Sequence, residues 1–455
     1  MLDIVVMAAG LGTRMKSSRA KVLHELVGRP LVAHVCRAAA ELDPDRLVVV
    51  VGHQADLVEE AARAGLGDDT TELRFALQAE QLGTGHAVQQ TVEHLSGGTV
   101  LVLSGDVPLV RAGTLRALLD AHRDDGNAAT LLTTALEDAT GYGRIVRGEG
   151  DRFVRIVEHR DADDEERAIG EINAGIYAFE AESLVPALAR LSTGNSQGEY
   201  YLTDVLGMLV DEGRPVGVVR HDEPAEVLGI NTRVELAESA AVLRRRILDR
   251  LMLSGVTIVD PASTYVDDTV EIGPDTIVHP GAILSGATRV GANCEIGPYS
   301  HLTDVDIGEG VLVRAMCVLE RARVARGAQI GPFARLRPGA DLGEEVHVGN
   351  FVEVKNSTLG AGSKANHLTY LGDAEIGERC NIGAGTITCN YDGKRKHRTT
   401  IEDDVYIGSD TMLVAPVRVG RGSKTGAGAV VTKDIPERSL AVGVPARVAR
   451  TIDDQ

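Results

Sequence analysis

Three absences narrow the function of this 455-residue chain before any motif is read. Paired cysteines are missing. Cys36, Cys294, Cys317, Cys380 and Cys389 are odd in number and never fall in CxxC spacing, which argues against a disulfide framework or a cysteine-rich zinc site and leaves structural thiols. Long apolar runs are missing too. Val48–Val51 and Val100–Leu103 are strand length, and no charged segment followed by a long apolar one opens the chain. The expectation is a soluble cytoplasmic protein without a membrane partner. Positive charge is also short: 47 Lys and Arg against 66 Asp and Glu leave a net charge of −19. That disfavours nucleic acid as a partner, while local Lys and Arg clusters can still hold a small anion.

What is present falls into two grammars. The length favours two domains. Up to about residue 230, apolar runs such as "DIVVMAAG", "RLVVVVG", "TVLVLSGD", "ATLLTTAL" and "EINAGIYAF" read as strands. Stretches such as "LVAHVCRAAAEL" and "RAGTLRALLDAHRDD" between them carry apolar residues three and four apart. The alternation predicts a mostly parallel α/β sheet with ligands beyond the carboxyl ends of its strands. Residues 232–252 read as a connecting helix with a stripe of Val234, Leu236, Ala240, Leu243, Ile247 and Leu251, capped by Thr232 or Asn231, with Arg244–Arg246 on a solvated face. The division is therefore 1–231, a linker helix 232–252, and 253–455.

Beyond Gly255 the apolar period becomes six. Ile272, Val278, Leu284, Val290, Ile296 and Leu302 form one phased run; Val324, Ile330, Leu336, Leu342, Val348 and Val354 a second; Ile401, Ile407, Leu413 and Val419 a third. A helix repeats near 3.6, so this is instead a parallel β-helix of hexapeptide repeats with roughly ten coils. The repeat class resembles the hexapeptide acyltransferases, and that resemblance implies the left-handed form.

The turn "AAGLGTRMKSSRAK" follows the first strand. A dinucleotide fingerprint would need a small residue where Met15 stands, and no GxxxxGK[ST] pattern occurs. Backbone N–H groups of the Gly10–Gly12 turn can surround phosphates, with Arg14 and Lys21 supplying charge. The turn resembles the sugar-phosphate nucleotidyltransferase signature G-x-G-T-R-M followed by lysine, with Ala20 where that family usually has proline. "LQAEQLGTGHA", "LSGDVPL", "GYGRI", "IVEHRDA", "EINAGIY" and "LGINTRVEL" follow in order. Together they resemble the family of bifunctional uridylyltransferase/N-acetyltransferases over nearly the whole chain.

That resemblance implies UTP and UDP-N-acetylglucosamine contacts at Met7, Ala8, Ala9, Gly10, Lys21, Gln78, Gly83, Thr84, Gly143, Glu158, Asn173 and Asn231. It implies Mg²⁺ on Asp106 and Asn231, and charge neutralisation in the transition state by Arg14 and Lys21. Ser104 stands where some relatives carry tyrosine.

A second polar cluster interrupts the hexads. Arg337 and Lys355 are 18 residues apart, one full coil, so they stack on one face, and an anion between them would relieve their repulsion. His367, Tyr370 and Asn381 follow. By resemblance Arg337, Lys355, Tyr370 and Asn381 hold glucosamine-1-phosphate. His367 is the general base, with Glu353 one option for orienting it. Ala384, Asn390, Tyr391, Ser409 and Ala427 contact acetyl-CoA by the same resemblance. "DGKRKHRTT" (392–400) breaks the phase as a basic loop. It is either a plain solvated loop or, as in the family, one whose lysine, here Lys396, reaches a neighbouring subunit's CoA. Gly443 replaces an arginine of some relatives, and the family implies a homotrimer. Two alternatives stay open: a single-activity sugar-1-phosphate nucleotidyltransferase whose β-helix is structural or regulatory, and a non-enzymatic subunit.

Overall fold

The computed structural model describes residues 1–67 and 69–451. The chain divides into two compact units, Met1–Leu243 and Arg244–Gln455.

In the first unit the aliphatic runs become strands. Their order across the sheet is Val216–Arg220, Ala129–Ala135, Glu171–Glu180, Thr99–Ser104, Leu2–Met7, Arg46–Val51 and Leu73–Leu77. Successive side chains of a strand point to opposite faces, so one strand feeds two cores. Ile4, Val6, Leu101 and Leu103 pack with Val32, Val35, Val58 and Leu115 from the helices Leu31–Ala40, Ala55–Leu66 and Ala112–Asp124. Val5, Val100 and Val102 pack on the other side with Leu184 and Val205 from Ala181–Leu188 and Thr203–Asp211. Continuous Val/Leu runs are what a strand covered on both faces requires.

Glu171–Glu180 departs from the parallel pattern, running antiparallel to both of its neighbours. Its register slips between Asn173 and Tyr177, where Gly175 adopts φ +71°. Such a bulge re-aims side chains. Here the Asn173 side-chain oxygen Oδ1 accepts the Gly175 N–H at 3.0 Å, while its Nδ2 donates to the Tyr177 hydroxyl at 2.7 Å.

The connecting helix is Arg233–Leu253, and Thr232 is its cap. Its hydroxyl accepts the Glu235 N–H at 3.2 Å, and Glu235 Oε2 accepts the Thr232 N–H at 2.9 Å, a reciprocal capping box. The same Oε2 accepts the Asn231 N–H at 2.5 Å. Leu236, Ala240 and Leu243 pack against Leu26, Leu31, Leu109 and Ile230. Val234 does not join the predicted stripe; it lies in the first turn and is exposed. Arg244 is not simply solvated either, since its guanidinium lies 4.3 Å from the Tyr265 ring centroid.

The second unit is built from three parallel sheets of 12, 10 and 9 strands, the first ending in an antiparallel strand. As far as Lys424–Thr425, each strand of the first sheet pairs with the one three strands later in the chain, and so do the strands of the other two sheets, as a β-helix demands; the arrangement is consistent with the left-handed form. The phased aliphatic residues point inward: Val278, Leu284, Ile296, Leu336, Val354, Ile407 and Leu413 are at most 1% exposed. The phase shifts seen in the sequence are short coil segments, such as the five residues from Leu302 to Ile307.

All five cysteines are free, and burial pushes the Cys36 thiol up to about 12. In the prism Cys294 and Cys380 donate to carbonyl oxygens of the next coil, at 3.1 Å to Gly308 and 2.9 Å to Glu402. No helix among the described residues is long and apolar enough to cross a membrane.

Candidate functional site: two clefts sharing one aspartate, and a polar cluster on the prism

Leu2–Met7 pairs with Thr99–Ser104 on one side and Arg46–Val51 on the other, so the chain leaves the first strand in one direction and returns on the opposite flank. The carboxyl ends part at Met7 and Ser104, which is where a crevice forms in such sheets. The turn beyond Met7 needs its glycines for different reasons. Gly12 has φ +63°, and a Cβ there would run into Lys21 Cβ and Cα. Gly10 has open space on that side. Gly12 thus lets the lysine segment fold back, and Gly10 leaves backbone accessible.

Four residues from distant segments meet at this crevice. The Lys21 ammonium pairs with the Asp106 carboxylate and donates to Asn231 Oδ1 at 3.0 Å. Arg14 donates to the same Oδ1 at 2.8 Å. The Asn231 segment is fastened by the Ile230 N–H donating to the Asp106 carbonyl oxygen at 2.9 Å. A Cβ on Gly229 would come within 3.1 Å of the Asp106 carboxylate, so this strap passes close only because Gly229 has none.

The junction separates two clefts. One, of about 270 Å³, is lined by Met7, Ala9, Gly10, Lys21, Gln78, Gly83 and Thr84. The other, of about 260 Å³, is lined by Arg14, Gly143, Glu158, Asn173 and Asn231. Ser104 and Asp106 line both. Ala8 lines neither: it is buried, with its N–H donating to the Val50 carbonyl oxygen at 2.9 Å.

In the first cleft, the Gln78 amide nitrogen is committed to the Gly83 carbonyl oxygen at 3.0 Å and faces His86 Nδ1 at 3.1 Å. Gln78 therefore shapes the loop as well as facing the cavity. The Thr84 hydroxyl accepts the Leu202 N–H at 3.0 Å. In the second cleft, burial pushes the Glu158 carboxyl above its ordinary value. Asp161, Asp204 and Glu199 add to this, and a hydrogen bond from Thr203 opposes it. The sequence reading missed Gln81, Glu199, Thr140 and Tyr142, which complete the walls. Gln81 and Tyr142 stand within the motifs "LQAEQLGTGHA" and "GYGRI", so position inside a motif was the available signal.

On the prism, Leu336 and Val354 are direct partners, so Arg337 and Lys355 follow them one coil apart on one sheet. Each already has a carboxylate. Arg337 donates to Glu353 Oε1 at 2.8 Å, and the Lys355 ammonium lies 3.7 Å from Asp373 Oδ2. Their stacking therefore does not require an intervening anion, contrary to the sequence argument. Nor is Glu353 the partner of His367, since it belongs to Arg337. Instead Asn350 and His367 pair across two coils, and His367 Nδ1 meets Asn350 Oδ1 at 3.0 Å. An amide oxygen accepts, so Nδ1 carries the proton and Nε2 is left as the basic nitrogen of an exposed ring.

His367 ends one strand, and Tyr370 begins the next beyond a corner at Leu368 and Thr369. Lys355 and Tyr370 are thus on one sheet, while His367 and Asn381 are on its neighbour. Asn390 Nδ2 is 3.5 Å from the Tyr370 hydroxyl. Gly372 carries no side chain because that hydroxyl and the Asn390 amide occupy the place of a Cβ.

Ala384, Ser409 and Ala427 form a ladder at another corner. The Asp410 N–H donates to the Ala384 carbonyl oxygen at 2.7 Å and the Gly428 N–H to that of Ser409 at 2.8 Å. The preceding Gly383, Gly408 and Gly426 have no room for a Cβ. Tyr391 opens the basic loop and is exposed, its hydroxyl donating to the Gly393 carbonyl oxygen at 2.7 Å. The loop is ordered by Asp392, whose carboxylate accepts the N–H groups of Lys394 and Arg395 and faces His397 Nε2 at 2.7 Å. Those bonds hold the Asp392 carboxyl down at about 2.

Residues 4–207 match the family model described as MobA-like NTP transferase domain, and residues 398–433 match bacterial transferase hexapeptide (six repeats). Fold and clefts together define a nucleotidyltransferase joined to a hexapeptide-repeat transferase. The chain is 52% identical over 443 residues to "Bifunctional protein GlmU" of Streptomyces avermitilis, covering 96% of this chain and 91% of that protein. Its identity to the proteins of the same name from Brevibacillus brevis and Bordetella parapertussis is 50% and 51%, over 97% of this chain and 94% and 96% of theirs. The chain belongs to the GlmU family.

Proposed function

We propose that the paired clefts carry uridylyl transfer and the prism cluster carries acetyl transfer. As a GlmU protein the chain is a bifunctional enzyme of UDP-N-acetylglucosamine synthesis, a UDP-N-acetylglucosamine pyrophosphorylase and a glucosamine-1-phosphate N-acetyltransferase. A purely structural prism has no use for the His367 cluster, and the family match leaves no place for the single-activity or non-enzymatic alternatives. The working division is 1–231 for the first reaction, 232–252 as connecting helix and 253–455 for the second. The break between the compact units falls inside that helix, which supports it.

One observation carries the first assignment: two clefts of nearly equal size meet at Asp106 beneath Lys21 and Arg14. UTP in the first and the sugar phosphate in the second bring nucleophilic oxygen and α-phosphorus to one junction. The sugar-phosphate oxygen attacks in line and pyrophosphate leaves, so no protein nucleophile is needed. Lys21 and Arg14 neutralise the phosphates in the transition state. Asp106 and Asn231 both present oxygen to one ammonium, a hard-donor pair that suits Mg²⁺. Asp106 and Asn231 are the residues that would hold the ion. When bound, Mg²⁺ supplies further charge neutralisation at the phosphates.

In the second site Arg337, Lys355, Tyr370 and Asn381 hold glucosamine-1-phosphate. His367 Nε2 removes the proton from the amine as its nitrogen attacks the thioester carbonyl, and the CoA thiolate leaves. Acetyl-CoA lies along Ala384, Asn390, Tyr391, Ser409 and Ala427.

This site spans a corner that also supports a homotrimer. Tyr299, Met316, Phe333, Phe351 and Leu368 occupy that corner on successive coils, all exposed, with φ between +50° and +59°. Left-handed backbone costs a residue with a side chain about 1–2 kcal/mol, so five large apolar side chains there need a compensating contact. A self-packing corner would provide it. Soluble co-substrates agree with a cytoplasmic enzyme.

The test omits substrates in turn. Thiol release from acetyl-CoA must proceed without UTP, and pyrophosphate release from the N-acetylated sugar phosphate must proceed without acetyl-CoA. Failure of either removes its half of the assignment.

A further inference from the structure

We propose that Asp373 is the positioning residue of the acetyl-transfer site, a single buried carboxylate that aims Lys355 and Asn390 and closes the base of the basic loop. The inference rests on assigning acetyl transfer to this cluster.

Asp373 follows the strand Tyr370–Gly372 at a corner, with φ +51°, and is 8% exposed. A carboxylate so buried needs partners, and both oxygens have them. Oδ1 accepts from Asn356 Nδ2 at 2.6 Å. Oδ2 accepts from Asn390 Nδ2 at 2.5 Å and lies 3.7 Å from the Lys355 ammonium. Through Asn390 the chain of contacts reaches the Tyr370 hydroxyl. One carboxylate thus touches a residue assigned to the sugar phosphate and another assigned to acetyl-CoA.

The main chain of Asp373 does a second job. Its N–H donates to the Lys355 carbonyl oxygen at 3.0 Å, and its carbonyl oxygen accepts the Thr399 N–H at 3.2 Å. Asn390 and Thr399 are the two ends of the loop that breaks the hexapeptide phase. The side chain holds one end and the backbone the other. Between them, Lys396 is brought against Lys355, whose ammonium holds the Lys396 pKa below its ordinary value, while Asp373 and Tyr370 act in the opposite sense. Two ammonium groups and one carboxylate leave a cationic cluster suited to a phosphate. Without the carboxylate the two lysines lose a negative charge that offsets their repulsion.

The geometry makes Asp373→Asn informative in the full-length chain. An amide offers one oxygen and one NH₂ where two oxygens now face donors, so either Asn356 or Asn390 must lose its bond. Lys355 also loses its counter-charge. The KM for glucosamine-1-phosphate and the KM for acetyl-CoA should each rise about tenfold, with kcat falling less and uridylyl transfer unchanged. A residue that only supports the fold would lower kcat through loss of active enzyme and leave both KM values alone. That result overturns the proposal, as does movement of one KM without the other.

If Asp373→Asn does not fold, Asn356→Ala removes the tether on Oδ1 and keeps the charge. It should raise both KM values about threefold, and unchanged values would again overturn the proposal. Lys355→Ala, run alongside, tests the underlying reading separately. An unchanged KM for the sugar phosphate there would remove the subsite itself, whatever Asp373 does.

Discussion

The two halves of this chain assemble their sites by opposite routes. In the N-terminal unit, Arg14, Lys21, Asp106 and Asn231 come from segments as much as 217 residues apart, and only the sheet brings them together. In the C-terminal unit, Arg337 and Lys355 lie one coil apart, and Lys355 pairs in register with Gly372 on the next coil, so the repeat itself brings the following Asp373 beside Lys355. A doubly wound sheet collects function at strand ends, while a β-helix collects it along a face. The first kind of site depends on topology and the second on period. The first also presents two clefts, whereas the second lies on an exposed surface, with His367 beyond a corner from Lys355.

If that contrast is right, the two activities should separate cleanly under mutation. Lys21→Ala removes the cation at the shared junction. It should lower uridylyl transfer about a thousandfold, measured as pyrophosphate release, with acetyl transfer near normal. Parallel loss of both would break the comparison. His367→Gln should lower thiol release about a hundredfold and leave pyrophosphate release alone. Retained acetyl transfer would move the base elsewhere on the prism.

The corner offers a sharper cut. Phe333→Glu with Phe351→Glu separates two rings now stacked at 5.4 Å and places charge on the proposed contact. Sedimentation should show the oligomer shifting to monomer, with acetyl transfer falling about tenfold or more and uridylyl transfer kept. An unaltered mass would dismiss this corner as the self-contact.

Gly12→Ala is a smaller perturbation, confined to the first site. Its φ of +63° and the nearby Lys21 side chain both oppose a Cβ. Uridylyl kcat/KM should fall about tenfold with little change in Tm.

The smallest effect is in the basic loop. The Asp392 carboxyl is held down at about 2 by N–H groups it accepts, so its turn is fully held above the ordinary carboxylate value and released as pH falls toward 2. NMR titration should find that low midpoint, and Asp392→Asn should speed hydrogen exchange at Lys394 and Arg395 without moving Tm. A midpoint near 4 would mean that the loop is not closed this way.

Much of this was legible in the residues. The Val/Leu runs marked the central strands, because a strand covered on both faces must be apolar throughout. The period of six marked the prism, because only inward positions are constrained. The spacing of Arg337 and Lys355 marked their shared face. Other features were hidden for identifiable reasons. That Glu171–Glu180 runs antiparallel is a matter of which edges are free, and its own side chains do not encode it. Val234 looked like part of a helical stripe because periodicity does not reveal what stands opposite each turn. Glu353 was the one option named for orienting His367, and Asn350 holds that place instead, since spacing does not tell which side of a corner a side chain faces.

The sequence alone determined the two architectures, the phosphate-suited turn and the chemical types gathered in each half, because local pattern and repeat period act over a few residues. Only tertiary structure decided that Asp106 and Asn231 share the Lys21 ammonium, that two clefts meet there, and that each stacked cation already has a carboxylate. Those outcomes depend on distances between segments remote in the chain, and a carboxylate or an ammonium carries no mark of its partner until folding brings one within reach.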